Sequence, residues 1–134
     1  MTVLCDFTVI QGDNAQPIGD GHEEFERIFN TGGRNSYPDG GAFLLLNVRG
    51  LTHTDRDVDV QINGQSVGSI RHYGGKDETA SYWFTQMIHF PSNILRDGDN
   101  RIEIRAVTWP GSTPDNRFDD FELKDVICFF KQTV

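Results

Sequence analysis

The sequence predicts an all-β fold, an antiparallel two-sheet β-sandwich of the jelly-roll kind with about eight strands. Three observations lead to this prediction. Several segments alternate apolar and polar residues with the period of two that marks a half-buried strand. Fourteen Gly and five Pro punctuate the chain, which suits short strands joined by tight turns. The chain also shows no convincing helical pattern and no internal repeat, and its 134 residues suit one domain, residues 1–134.

The composition limits the partners that such a domain can bind. Twenty acidic residues against twelve basic ones give a formal charge of −8 at pH 7. A surface of this charge repels phosphate backbones and anionic lipids, so nucleic acid and membranes are not expected partners. Only 37% of the residues are hydrophobic, but ten Phe and two Trp compensate because each ring brings a large apolar area to a thin core.

The strands of the first half are predicted from alternation and from apolar runs. Residues 3–9 alternate and predict a half-buried strand. Residues 23–29 carry two Phe four positions apart, which fits a helix or a strand, and the lack of a helix cap favours a strand. Residues 42–48 are apolar on both faces, as in a central strand covered on two sides. Residues 57–63 alternate cleanly, with Val and Ile on one face.

The second half reads as a hairpin followed by three strands. Asn63-Gly64 is the preferred pair for a two-residue type I′ turn, so a returning strand is predicted over 66–72. Further strands are predicted over 82–90, ended by Pro91, and over 101–107. The last strand covers 121–131, and its alternation slips near Lys124-Asp125, which indicates a β-bulge.

Three segments are predicted as loops from their content of Gly, Pro, Asn and Asp. They are residues 11–21, residues 30–41 and residues 108–119. A shorter loop is predicted at 74–79, and residues 92–100 are predicted as a turn-rich connection with Ile94 and Leu95 directed inward.

The stretch from Val58 to Phe130 resembles the galactose-binding-like β-sandwiches, which include carbohydrate-binding modules and sugar-binding domains of glycoside hydrolases. The residues that carry the resemblance are Asn63-Gly64, Phe90-Pro91, Ile94-Leu95, Asp97-Gly98-Asp99-Asn100, Ile102-Glu103-Ile104 and the last strand from Phe121. In that family these are scaffold positions, so the resemblance implies the fold. Family members bind sugars, cap other domains or mediate protein contacts, and the fold does not choose among these roles.

No catalytic motif is present, and we expect a protein that is not an enzyme. The chain has no GxSxG, P-loop, CxxC or HExxH sequence. Its four His, at 22, 53, 72 and 89, have no metal-ligand spacing. Its Asp residues are concentrated in turns, where they cap their own backbone.

Carbohydrate recognition requires an aromatic platform flanked by planar polar groups. Trp109 in the 108–119 loop is the best candidate, either as an exposed platform or as a lid packed against the domain, with Asn116 and Arg117 as hydrogen-bonding neighbours. A second candidate cluster consists of Arg71, His72 and Tyr73, with Tyr82 and Trp83 on the adjoining strand. Trp83 serves either as an outward platform or as a core anchor, the second being favoured. His53 and Tyr37 are further candidates on other loops.

A structural calcium ion is the metal that the resemblance implies. Related sandwiches hold one between an early acidic residue and the start of the last strand. The comparable positions here are Glu23 or Glu24 and Asp119 or Asp120. Hard cations take carboxylate and carbonyl oxygens of this kind from loops. The alternative, that Asp119 and Asp120 only solvate a strand end, is favoured.

Cys5 and Cys128 fall in the first and last predicted strands, which lie side by side in many jelly rolls. A disulfide is geometrically conceivable, but two buried thiols are favoured. The N-terminus lacks the basic start of a signal peptide. We therefore expect a cytoplasmic protein, one exported by a non-classical route, or a trimmed chain.

The sequence supports two alternative functions. The first is a non-catalytic recognition module that binds carbohydrate, lectin-like, through loop aromatics. The second is a structural or adaptor protomer, including a homo-oligomer, whose outward apolar residues Leu4, Leu44 and Leu46 form a subunit interface.

Overall fold

The computed structural model describes residues 3–32, 41–73 and 81–133, which form eleven strands and one 3-10 turn. The strands are β1 (Val3–Gln11), β2 (Gln16–Ile18), β3 (Glu24–Asn30), β4 (Gly41–Arg49), β5 (Val58–Ile62), β6 (Gln65–Ile70), β7 (Phe84–Pro91), β8 (Asp99–Arg105), β9 (Thr108–Thr113), β10 (Asn116–Phe118) and β11 (Phe121–Thr133). The 3-10 turn is Ser92–Ile94. Within the described ranges no helix is long and apolar enough to cross a bilayer. Tyr37 and the loop predicted at 74–79 lie outside the described residues.

The strands form two sheets packed face to face, so the predicted all-β sandwich is confirmed. The first sheet has the order β1-β11-β4-β7, with β2 paired to the start of β11. The second sheet has the order β3-β8-β5-β6. Strands β9 and β10 form a separate two-stranded ribbon. All of these pairings are antiparallel.

Alternate residues of each sheet fill the core between the two layers. From the second sheet, Val58, Val60 and Ile62 are completely buried, as their alternation predicted. From the first sheet, Leu44 and Leu46 are equally buried. The segment 24–30 is a strand, as favoured over a helix, because its two Phe, both buried, lie on the core-facing side of β3.

The predicted turn residues have the conformations that their types allow. Asn63 and Gly64 both have positive φ, 53° and 79°, as a type I′ turn requires. The amide of Asn63 also donates to the carbonyl of Ile94 at 2.9 Å. Asn100 is buried, and its side-chain oxygen accepts the N–H of Arg96 at 2.7 Å. These scaffold positions therefore fix turns through side-chain hydrogen bonds.

The β-bulge predicted in the last strand is confirmed. The register between β11 and β4 shifts between Lys124 and Ile127. Asp125 lies at the shift with φ 50°, a region that Asp tolerates better than most residues. Its N–H donates to the carbonyl of Gly12 at 2.8 Å, and its carboxylate accepts from Asn47 at 3.0 Å.

Two of the predicted loops contain strands, which raises the count from about eight to eleven. Within 11–21, Gln16–Ile18 pairs with Phe121–Leu123 of β11. Within 108–119, Thr108–Thr113 pairs with Asn116–Phe118. Both predictions failed for the same reason: these are short edge pairings of only three to six residues. Such pairings need few ladder hydrogen bonds and so tolerate the Pro and Gly that read as loop.

The outward direction predicted for Leu44 and Leu46 was wrong, whereas Leu4 is exposed as predicted. Leu44 and Leu46 face the core instead of solvent, and the outward residues of β4 are Phe43 and Leu45. In a run where every residue is apolar there is no alternation, so the sequence does not show which side chains face the core. In β1, Phe7 is also exposed, at 57%. Both cysteines are free, and only Cys128 is buried, whereas Cys5 is exposed, contrary to the expectation for it.

Candidate functional site

A cavity of about 280 Å³ lies where the segment after β4 meets the β9–β10 ribbon. We call it the loop cavity, and its walls are Gly50, Thr52, His53, Trp109, Asn116, Phe118, Asp119 and Asp120. Five of these were candidates from the sequence: His53, Trp109 and Asn116 for sugar, and Asp119 and Asp120 for metal. The fold therefore brings these five candidates, which are up to 67 positions apart in the chain, into one concavity.

Asp119 holds the two halves of the loop cavity together. Its carboxylate is buried and accepts the backbone N–H groups of His53 and Thr54 at 2.9 and 2.8 Å. The other carboxylate oxygen lies 3.7 Å from Nδ1 of His53. Thr54 is also buried, and its hydroxyl donates to the carbonyl of Thr108 at 2.8 Å. The segment that carries His53 is thus fixed against the ribbon that carries Trp109.

The indole of Trp109 is half-buried on the cavity wall. Its Nε1–H donates to the carbonyl of Asn116 across the ribbon at 3.3 Å. The ring of His53 meets it edge-to-face, with centroids 5.6 Å apart and an interplanar angle of 68°. A side chain at Gly111 would meet the indole, since a Cβ there would lie 2.3 Å from a ring carbon. Trp109 therefore lies along its own ribbon, and it neither extends freely into solvent nor enters the core.

A second cavity of about 290 Å³ adjoins the first, because Gly50 and Asp120 belong to the walls of both. Gly50 is required at this place, since its φ is 96° and a Cβ would lie 3.0 Å from the carbonyl oxygen of Asp120. Asp20 lines the second cavity. Its N–H donates to the carboxylate of Asp120 at 2.7 Å, and its own carboxylate accepts the N–H groups of Arg117 and Phe118 at 3.0 and 3.3 Å.

The second predicted cluster is only partly assembled and encloses little space. Arg71 and Tyr73 border a cavity of only about 10 Å³ behind the Gly50–Thr52 segment. His72 is paired with Asp57, with 2.7 Å between Nδ1 and the carboxylate oxygen. This hydrogen bond holds the pKa of Asp57 below its ordinary value, although burial opposes the shift. His72 and Tyr73 are therefore engaged by neighbouring side chains, Asp57 and Phe84 respectively.

Trp83 is not a core anchor, contrary to the favoured expectation. It is half-buried and lies against two cations, with the guanidinium of Arg49 4.5 Å and the ammonium of Lys124 4.3 Å from its ring. Arg49 is in turn paired with Glu122 at 2.7 Å. The ring is therefore part of the surface, but these two side chains already occupy space beside it.

The acidic residues proposed for calcium do not gather into one carboxylate site. In the described part of the chain the one group of three close carboxylates is Glu24, Glu26 and Glu103, of which only Glu24 was a candidate. Arg101 lies 2.9 Å from both Glu26 and Glu103, so this group is already compensated by a cation. The backbone of Glu23 accepts from Ala106, but its carboxylate is not part of that group.

Comparisons with known proteins identify the fold. No family model and no curated protein matches the chain. Solved structures do match it over 98% of its length. One is BpGH86A, a β-porphyranase of glycoside hydrolase family 86 from the human gut bacterium Bacteroides plebeius, with a TM-score of 0.64 and 16% identity. Another is BuGH86, solved in complex with neoagarooctaose, with a TM-score of 0.53 and 17% identity. A dimeric latent PorU from Porphyromonas gingivalis matches over the same share with a TM-score of 0.60 and 8% identity.

These likenesses define the class of the chain as an antiparallel β-sandwich that also occurs as one segment of larger proteins. The chain spans 21% and 20% of the two hydrolases and 13% of PorU. The β-sandwich fold that the sequence predicted is thereby supported.

Sequence reasoning missed the residues that shape the cavities without carrying an obvious chemical group. Gly50, Thr52 and Phe118 line the loop cavity, and Asp20 and His22 line its neighbour. One signal was available, because the isolated Gly50 directly after an apolar strand indicates a close backbone approach. Nothing local to residue 20 indicates its partners near residue 117, since that contact joins distant parts of the chain.

Proposed function

We propose that this chain is a non-catalytic carbohydrate-recognition module that binds sugar in the loop cavity. The observation that carries the proposal is the half-buried indole of Trp109 on the cavity wall, with polar groups of His53 and Asn116 beside it. An aromatic ring offers an apolar surface to the C–H face of a pyranose, and the neighbouring polar groups suit its hydroxyls. Because Asp119 fixes the segment of His53, these groups are held in place before a ligand arrives.

The dimensions favour a short oligosaccharide over a single large ligand. Each of the two cavities is near the lower end of the range for ligand pockets, which begins at about 300 Å³. Since the two cavities adjoin at Gly50 and Asp120, we expect a ligand of two or three sugar units that extends from one cavity toward the other. The acidic walls, Asp119 and Asp120 above all, favour neutral sugars over sulfated or uronic ones.

The structural comparisons support the same proposal in a limited way. Two of the matching proteins are glycoside hydrolases of family 86, and one of them was solved with neoagarooctaose. In each, the matching segment is about a fifth of the protein. A recognition module of a saccharide-processing protein is the role that this context favours for our chain.

The proposal is tested by screening the protein on a glycan array and measuring neoagarooctaose binding by calorimetry. We expect Trp109→Ala to weaken the affinity at least about tenfold, or about 1.4 kcal/mol, in a protein that still unfolds cooperatively. Tyr82→Ala is the matched control, because Tyr82 is an aromatic residue that is 59% exposed and does not line the cavity. Absence of binding to any glycan, or equal affinities for the two variants, would contradict the proposal.

Trp83→Ala decides between the two aromatic sites. If the sheet surface around Trp83 were the sugar site, this variant would lose binding and Trp109→Ala would not. We expect the opposite, because Arg49 and Lys124 already flank the Trp83 ring.

Calcium stays a separate proposal, with Glu23, Glu24, Asp119 and Asp120 as its candidate ligands. In their present arrangement these carboxylates do not form a three-membered group, and Asp119 is engaged by two backbone N–H groups. Calcium binding would therefore require the carboxylates to rearrange. Thermal melting in calcium and in EDTA tests this: a rise in melting temperature that Glu24→Gln abolishes supports the ion, and identical curves exclude it.

A further inference from the structure

The outer face of the first sheet carries two adjacent rows of apolar side chains that cross all four strands. One row is Phe7, Phe129, Phe43 and His89, and the next is Val9, Ile127, Leu45 and Met87. Each residue is the direct cross-strand neighbour of the next in its row. We call these eight residues the aromatic face. It lies on the side of the sheet opposite the core and does not include the loop cavity.

The aromatic face is open to solvent at both of its edge strands. Phe7 and Val9 on β1 are 57% and 53% exposed, and Met87 on β7 is 54% exposed. The four residues on the two central strands are half-buried by their neighbours. Monomeric proteins rarely leave a contiguous apolar patch of several hundred square ångströms uncovered, and such patches usually mark an interaction surface.

The stacking of the central rings suits an apolar protein surface better than a sugar platform. Phe129 and Phe43 stack with centroids 4.7 Å apart at 13°, and Phe43 and His89 with centroids 5.4 Å apart at 17°. Because the centroid spacing is close to the spacing of strands, about 4.8 Å, the rings stand upright and present their edges to solvent. A pyranose stacks on the face of a ring, and the faces of the central rings are already covered by each other.

We propose that the aromatic face is the interface of a homodimer in which two copies pack this sheet face to face. The strand β4 extends over nine residues, roughly 27 Å, and four strands are roughly 19 Å wide, which gives a flat projection of roughly 500 Å². This projection of the whole sheet is smaller than the value of about 800 Å² that each partner of a standard interface buries. The sheet therefore supplies most of the area that a dimer needs, and the adjoining loops supply the rest.

The distribution of charge favours a second copy as the occupant. The chain carries 20 acidic residues, yet none is among the eight residues of the aromatic face, whose one ionisable side chain is His89. Beyond the two rows lie Lys131 opposite Cys5 at one end and, at the other, Lys124 opposite Asn47, whose amide donates to the carboxylate of Asp125. Two copies with a net charge of −8 can thus bring the eight residues together without placing a carboxylate among them. An apolar centre with a polar rim is the usual anatomy of a subunit interface.

The test is sedimentation velocity of the full chain over concentrations from about one micromolar to several hundred micromolar. We expect a species of twice the monomer mass. Phe7→Glu and Met87→Glu, on opposite edges of the sheet, should each raise the dimer dissociation constant about a hundredfold by burying an unpaired charge. Both residues are largely exposed, so the monomer should melt as the wild type does. Ile28→Glu is the matched control, because Ile28 is 61% exposed on the other sheet, and it should leave the dimer intact.

Three results would overturn the proposal. A wild-type protein that stays monomeric at the highest concentration shows that a second copy does not cover this face. A dimer weakened by Phe7→Glu but not by Met87→Glu indicates pairing through the β1 edge alone. Equal weakening by Ile28→Glu indicates a general effect of charge. Sugar binding by the dimerisation variants is a separate measurement, so the two proposals fail or succeed independently.

Discussion

Two substitutions of Asp119 separate the contribution of its hydrogen-bond-accepting oxygen from the contribution of its negative charge. In Asp119→Ala, the N–H of Thr54 loses its acceptor in a buried place, which costs about 1–3 kcal/mol. The N–H of His53 lies nearer to solvent and can donate to water instead, so the loss of its hydrogen bond to Asp119 adds less to the cost. We expect a total decrease in the free energy of unfolding of about 2–4 kcal/mol.

Asp119→Asn is the matched variant, because its side-chain oxygen can still accept both N–H groups. Only the charge is lost, and we expect a decrease of about 1 kcal/mol. Urea denaturation with unchanged m-values measures both differences. If alanine costs less than about 0.5 kcal/mol, or if asparagine costs as much as alanine, the carboxylate does not anchor this segment in the way we describe.

Three further predictions follow from single residues. Burial raises the pKa of the Cys128 thiol to about 12, whereas Cys5 is exposed, so iodoacetamide at pH 8 should label one thiol in the native protein and two in denaturant. Gly111→Ala should displace the indole of Trp109, shift its Nε1–H resonance in NMR spectra and weaken sugar binding, and an unmoved resonance would contradict the packing described for the ribbon. Phe121→Ala should lower the free energy of unfolding by about 3–5 kcal/mol in urea titrations, since this ring is only 2% exposed, and a cost below about 1 kcal/mol would contradict its place in the core.

The scaffold was predictable because its determinants are local. Alternation placed the central strands, and Asn63-Gly64 placed the hairpin through its two positive φ values. The bulge at Asp125 was visible as a slip in the alternation of β11. In each case the residues that determine the structure are neighbours in the chain, so a single sequence contains the whole signal.

The predictions that were wrong depend on contacts between segments that are distant in the chain. Leu44 and Leu46 lie in a run that is apolar throughout, and only the position of the second sheet decides that they face the core. The ribbon of β9 and β10 was hidden by its Pro and Gly, and its pairing is short. Trp83 was expected inside, but it is flanked by cations from two other strands.

The sequence by itself determined the all-β class, most strand positions, the turns and the candidate side chains. Only the tertiary structure decided which candidates meet. It joined His53, Asp119 and Trp109 around one cavity, while Trp83 came to lie on the outer surface of the first sheet. The aromatic face likewise exists only because the register aligns Phe7, Phe129 and Phe43 across three strands. Strand order and register depend on contacts between distant segments, and these are set by the burial of the whole core, not by any local pattern.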